Sequence, residues 1–327
     1  MRETILNFPK QFKEGIEKAK EIGVEGRFEN IIICGMGGSA LPADLLVTYL
    51  NDLKLPFYIH RSYNLPPQAT KESLIICISF SGNTKETISA FKEAQERKLK
   101  VTAITTGGEL AQLAKKYNTP LVSLPPVKVQ PQWAIGYFFG ALAKVLSNSG
   151  GVIKDNSEEI LKMAENLKPL GLETQGKSLA KKLVGKIPLI YASNKFKSLA
   201  RIWKIKLNEN SKIMAFWNYF PELNHNEIVG YSNLNSQRVN LKNFYVIILR
   251  DSGDHPKILK AMELTAVLLK KNGVEVDFVE LEEKNILEKV FNNLILSDWV
   301  SYYLAKEYKI DPAPVEIVEE FKKKLKE

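Results

Sequence analysis

Cysteine and histidine are scarce: the 327-residue chain holds two cysteines and three histidines. The histidines, His60, His225 and His255, lie far apart, and Cys34 and Cys77 each sit inside an apolar run, IIICG and IICIS. No metal-ligand spacing results, so no metal site is expected. Both thiols read as buried strand residues; one disulfide between them is the alternative, disfavoured in a cytosolic chain outside hyperthermophiles. No apolar run approaches the roughly 18–20 residues needed to cross a bilayer. The opening stretch MRETILNFPKQFKEG has no apolar segment followed by a small-residue cleavage site. A cytoplasmic protein without a membrane partner is therefore expected. A basic stripe interleaved with aromatics is also missing. The formal charge is +9, but lysines alternate with glutamates in KEGIEKAKEIG and VEEFKKKLKE, as on solvated helix faces. No nucleic-acid partner is expected. The excess charge instead sets up a mild positive field that favours small anionic ligands.

Apolar material is ample, with hydrophobic residues at 45% and charged residues at 25%. The length suits two domains. Short apolar runs alternate with longer amphipathic stretches. Strands are expected at Ile31–Cys34, Leu74–Ser79, Val101–Thr105, Leu189–Ala192, Phe244–Leu249 and Val274–Val279, with helices such as Thr84–Arg97 and Pro256–Lys271 between them. Near-continuous apolar strands separated by helices indicate a parallel sheet covered on both faces. The chain also repeats itself. LIICISFSGNTKETISAFKEAQERKLKVTAIT and YVIILRDSGDHPKILKAMELTAVLLKKNGVEVDFVE both run strand, Ser-Gly turn, long helix, strand; NIIICGMGGSALPADLLVTYL pairs loosely with IPLIYASNKFKSLARIWKIKL. The expected class is α/β, with two similar doubly wound parallel-sheet domains in tandem. The polar stretch SNSGGVIKDNS suggests a boundary giving domains 1–153 and 154–327, the second opening with linking helices. The charged tail after Pro314 reads as a terminal amphipathic helix.

Three segments carry chemistry-bearing residue types. Gly35-Met36-Gly37-Gly38-Ser39 follows a strand and opens a helix, so the backbone can approach a ligand and offer free N–H groups. It departs from the dinucleotide fingerprint, since Ala40 takes the place of the third glycine, and no phosphate-loop lysine follows. A plain strand-to-helix turn explains it equally well. Ser79-Phe80-Ser81-Gly82-Asn83-Thr84 is sharper. Hydroxyls at Ser79, Ser81 and Thr84 gather at a helix N-terminus, where the dipole favours an anion. A single hydroxyl would satisfy an ordinary N-cap; three with a glycine tip point to phosphate. The equivalent turn of the repeat reads Asp251-Ser252-Gly253-Asp254-His255. Its two carboxylates would repel a phosphate, so only the first domain is expected to hold one, with His255 a turn or cap residue. The third segment, NENSKIMAFWNYFPELNHNEIVG, sets Glu209, Glu222, His225 and Glu227 among aromatics and amides. A partly buried glutamate can serve as a general base with a histidine as acid partner. A structural hydrogen-bond network is the alternative.

GMGGSALPADLL and SFSGNTKETISA resemble the sugar-isomerase (SIS) domain that binds phosphosugars. FPELNHNEIVG is similar to the corresponding segment of the bifunctional phosphoglucose/phosphomannose isomerases, and the resemblance extends to the closing DPAPVEIVEEFKKKL. It implies two SIS domains and a homodimer sharing its active site between protomers. It implies a metal-independent isomerase that interconverts glucose 6-phosphate and mannose 6-phosphate with fructose 6-phosphate through a cis-enediol. The setting would be carbohydrate metabolism, in glycolysis and gluconeogenesis. Matched by motif, Gly37, Gly38, Ser39, Ser79, Ser81 and Thr84 would bind the phosphorylated hexose. Glu209 would be the base, His225 would assist ring opening from the other protomer, and Lys306, in SYYLAKEY, falls where the family has a ring-opening lysine. No cofactor is implied. One departure stands out: Gln132 occupies the place of a family arginine that would stabilise the enediolate, and Lys128 is the nearest basic residue in sequence. A non-catalytic phosphosugar-binding SIS protein and a SIS isomerase for another sugar phosphate are the alternatives. The first would usually carry a basic recognition helix, which is not visible here.

Overall fold

The computed structural model describes residues 1–50, 53–127, 129–232 and 240–325. Lys128 lies outside the described residues. In chain order the first part contains α1 (Arg2–Leu6), α2 (Lys10–Lys18), β1 (Asn30–Gly35), α3 (Gly37–Tyr49), β2 (Phe57–His60), β3 (Ser73–Ser79), α4 (Lys85–Glu96), β4 (Lys100–Thr105), α5 (Gly108–Lys116), β5 (Leu121–Ser123), α6 (Ile135–Asn148) and α7 (Ser157–Asn166). The second part contains α8 (Glu173–Lys182), β6 (Ile187–Ser193), α9 (Lys197–Ser211), β7 (Phe216–Phe220), β8 (Phe244–Arg250), α10 (Pro256–Lys271), β9 (Glu275–Glu280), α11 (Ile286–Glu307) and α12 (Glu316–Lys324). The chain divides into two compact units, Leu6–Leu167 and Lys168–Glu327 with Met1–Ile5.

In the Leu6–Leu167 unit five strands form a parallel sheet in the order β2-β1-β3-β4-β5. β3 is buried along its whole length, and β1 at all but its first residue. That explains the unbroken Ile and Val runs, because a sheet covered on both faces has no polar side. The chain winds from β1 through α3 to β2 in one direction, and from β3 through α4 and α5 to β5 in the other. The winding reverses between β1 and β3, where ligands sit in open α/β sheets. Two strand-to-helix loops, one containing Gly35–Ser39 and the other Ser79–Thr84, leave the carboxyl ends of these adjacent strands. Cys34 and Cys77 are register partners on them, buried and free.

The other unit carries a four-stranded parallel sheet in the order β7-β6-β8-β9. This is β2-β1-β3-β4 over again, so the repeat in the text is a repeat of topology. Three strands escaped the sequence reading. β2 and β5 are short and partly exposed, and β7 sets four aromatics around Asn218 in a segment read for its chemistry. Edge strands bury too little to leave an apolar run.

The division between the units falls at 167/168 rather than at the expected 153/154. The connecting stretch is tied into the first unit. Tyr49 Oη donates to Glu159 on α7 at 2.7 Å, and Lys144 pairs with Asp155 at 2.6 Å. The terminal helix α12 buries none of its residues and exposes Ile317 and Phe321. Among the described residues no helix is long and apolar enough to cross a membrane, and no cluster of His, Cys, Asp and Glu could hold a metal ion.

Candidate active site

The glycine loop and the serine loop are stitched together. Ser39 is buried at the start of α3, and its Oγ accepts the Phe80 N–H at 2.9 Å. Gly38 has no room for a side chain, since a Cβ would lie 2.7 Å from the Gln132 nitrogen and 2.9 Å from the Pro131 carbonyl carbon. The turn Pro131–Trp133 therefore packs directly on the first turn of α3 and sets buried Gln132 beside the loop. Gly82 has φ +67, and its Cβ would fall 1.7 Å from the Gly107 carbonyl oxygen, so only glycine closes the tip.

Thr84 occupies the N-cap position of α4, but its hydroxyl makes no capping bond. It pairs instead with the buried Ser79 hydroxyl at 2.9 Å, while Ser79 Oγ also accepts the Gly82 N–H at 3.0 Å. Exposed Ser81 accepts the Asn83 N–H at 3.2 Å. The first-turn amides of α4 are thus left without a side-chain cap, next to a cluster of hydroxyl donors. An anion suits that arrangement. Within this unit the structure brings Gly37, Gly38, Ser39, Ser79, Ser81, Thr84 and Gln132 onto neighbouring loops at one end of the sheet.

The equivalent turn of the other unit is closed by its own charges. Asp251 is fully buried; its carboxylate accepts the Gly253 N–H at 3.1 Å, lies 3.4 Å from Lys195 Nζ and accepts from Lys289 Nζ. Burial would push this carboxyl group up, but the Lys289 bond, the Gly253 amide and the lysine charges outweigh it and hold it below its ordinary range. Lys195 follows Ala192 as Gly38 follows Gly35, since Gly35 pairs with Ile78 on β3 and Ala192 with Leu249 on β8. A lysine and a carboxylate therefore stand at the turn whose counterpart in the first unit carries glycine and hydroxyl residues. His255 caps α10, its Nδ1 accepting the Lys257 N–H at 3.2 Å.

Glu209 lies near the end of α9 and is half-buried. Burial raises its carboxyl group above the ordinary glutamate range, although Lys206, Lys212, Lys204 and Lys322 pull the other way. His225 ends the short turn Glu222–His225 and is exposed. Lys306 is exposed on α11, with its ammonium 5.3 Å from the centre of the Tyr302 ring. No hydrogen bond or ion pair joins Glu209, His225 and Lys306 to one another among the described residues. Glu222 accepts from Asn226 Nδ2 at 2.7 Å. Glu227 accepts from Tyr191 Oη and from Asn218 Nδ2, while Tyr191 Oη bonds Tyr231 Oη at 2.5 Å. For Glu227, then, the structural network is the description that fits.

Sequence reasoning missed Lys206. It is wholly buried, and its ammonium lies 2.6 Å from Asp298 on α11, itself 4% exposed. The available signal was spacing: Leu199, Ile202, Trp203, Lys206 and Asn210 share the buried face of α9, so a lysine stands where an apolar residue belongs.

Comparison with known proteins fits this geometry. Residues 27–125 match the SIS domain, and residues 172–325 match the bacterial phospho-glucose isomerase C-terminal SIS domain. A bifunctional phosphoglucose/phosphomannose isomerase of Caldicellulosiruptor bescii is 36% identical over 340 aligned residues, covering all of this chain and 99% of the relative. The chain belongs to the bifunctional phosphoglucose/phosphomannose isomerase family. It is an isomerase built on two SIS domains. A D-glucosamine-6-phosphate 4-epimerase of Sulfolobus acidocaldarius is 30% identical over 95% of each chain. In fold, the C-terminal domain of glucosamine-fructose-6-phosphate aminotransferase from Francisella tularensis is similar, with a TM-score of 0.74 at 16% identity, covering 96% of this chain and 98% of that one.

Proposed function

We propose that this protein is a phosphohexose isomerase that interconverts glucose 6-phosphate and mannose 6-phosphate with fructose 6-phosphate. The observation that carries this is the likeness to bifunctional phosphoglucose/phosphomannose isomerases along the whole chain, together with a half-buried carboxylate, Glu209, near the end of α9. Ser79, Ser81 and Thr84, with the loop around Gly37, Gly38 and Ser39, hold the phosphate. His225 and Lys306 supply the acid and base that open the ring. Glu209 takes the proton from C2 of the open aldose to give the cis-enediol and returns it to C1. One hydrogen moves within one molecule, so no external redox cofactor enters the balance. Rotation about the C2–C3 bond lets a single base serve both epimers. Gln132 donates a hydrogen bond toward the enediolate. Binding the phosphate away from the reacting carbons contributes orientation. A cytoplasmic homodimer that shares its site between protomers, works without metal and serves glycolysis and gluconeogenesis completes the proposal.

Purified protein given fructose 6-phosphate should yield both glucose and mannose 6-phosphates, with or without chelator. Glu209→Gln should lower kcat by at least about a thousandfold while phosphosugar binding persists. Full activity in that variant would remove Glu209 as the base. Loss of turnover on chelation would end metal independence. An unmoved fructose 6-phosphate pool, alongside epimerisation of glucosamine 6-phosphate, would transfer the chain to the other named chemistry among its relatives.

A further inference from the structure

We propose that the buried Lys206–Asp298 pair is a positioning device for Glu209: Asp298 holds Lys206 as a fixed positive charge one helical turn from the base and so sets the pH range in which the base works. The proposal rests on Glu209 being the base.

Residues three apart on a helix stand on the same side, one above the other, so Lys206 and Glu209 are neighbours on α9. Lys206 is 0% exposed and Asp298 4% exposed, with Nζ and Oδ1 2.6 Å apart. The bond does not stand alone. Trp203 Nε1 donates to Asn293 Oδ1 at 2.7 Å, Asn210 Nδ2 to Ser301 Oγ at 2.9 Å, and Ser211 Oγ to the Ser301 carbonyl at 2.9 Å. This polar seam ties α9 to α11 along the turns that carry Lys206 and Glu209.

Stability explains the pair poorly. Desolvating two charges offsets most of their attraction, and apolar replacements of such pairs are often neutral or stabilising. A charge held close to a working carboxyl group is a better reason to keep it. Among the described residues, the other cations facing Glu209 are Lys204 and Lys212 from its own segment and Lys322 from α12. None of these three is buried, so solvent and salt screen them. Lys212 is further engaged with the Glu209 and Pro312 carbonyls and faces Asp311 and Glu316. Lys206 faces Asp298 and is shielded from water, which makes it the steady member of the set.

The test is the pH profile of kcat/KM for fructose 6-phosphate in Lys206→Met, Lys206→Gln and Lys206→Arg, with the ionisation of the substrate phosphate measured separately. Removing the charge should move the acid limb up by about one pH unit, the order expected for a unit charge at that range in a partly buried site. KM above the limb should stay within about twofold, because the phosphate grip is untouched. Lys206→Arg should keep the wild-type limb. Gln can still donate to Asp298, so it carries the test if Met fails to fold. An unmoved limb in a folded neutral variant overturns the proposal, and so does loss of fold in both, which would make the pair structural. Full activity in Glu209→Gln instead sinks the assignment of the base, which separates the two failures.

Discussion

At Gln132 a neutral amide lies buried beside the glycine loop, at the place where the sequence resemblance implies an arginine. Losing a charged donor at a developing oxyanion typically costs about 2–4 kcal/mol of transition-state stabilisation. Gln132→Arg is therefore expected to raise kcat at least about tenfold. It should also lower the melting temperature by several degrees, since a guanidinium needs partners in a site shaped for an amide. An unchanged kcat in a folded variant would show that this position never meets the enediolate. Much of the candidate site was readable at this scale. Hydroxyls crowded at a helix start, and a carboxylate among aromatics, break the ordinary rules of composition, and such breaks stand out in sequence. Lys206 did not stand out, because a lysine between an isoleucine and a leucine looks like any amphipathic helix until its partner on another helix is known.

Among the elements, the tip of the serine loop depends on Gly82. Any side chain there would have to take the φ of +67 and collide with the Gly107 carbonyl, at 1.7 Å. Gly185 has a similar φ of +73 but nothing within 4 Å, so it isolates backbone strain from collision. Gly185→Ala should cost about 1–2 kcal/mol, whereas Gly82→Ala should cost clearly more and also raise KM for the phosphosugar. Equal losses of stability in chemical denaturation would mean that the two loops do not approach so closely. The central strands β1, β3, β4, β6 and β8 were legible because burial on both faces leaves continuous apolar text, and the edge strand β9 because Val276, Phe278 and Val279 keep an apolar pattern between its glutamates. β2, β5 and β7 were not, being short edges whose pairing is decided by the neighbouring strand rather than by their own residues. Helix α10 matched its expected limits because Pro256 and His255 punctuate its start.

For the whole molecule, duplication is the organising fact: one winding pattern is used twice, and the two copies have diverged at the carboxyl ends of their strands. The tandem was visible as matching strand-turn-helix text. The expected boundary fell early because the α7 segment sounds like a linker, while Tyr49 and Lys144 claim it for the first unit. The sealed turn around Asp251 has a countable outcome. With Lys195 and Lys289 already satisfied by a resident carboxylate, the second copy offers an incoming anion no vacancy. Calorimetric titration with a hexose phosphate should saturate at one equivalent per polypeptide; a second equivalent of comparable affinity would mean that this internal counter-ion is displaced. On the one-equivalent outcome a chain with two look-alike lobes would follow a single-site isotherm, because one lobe carries its own counter-ion.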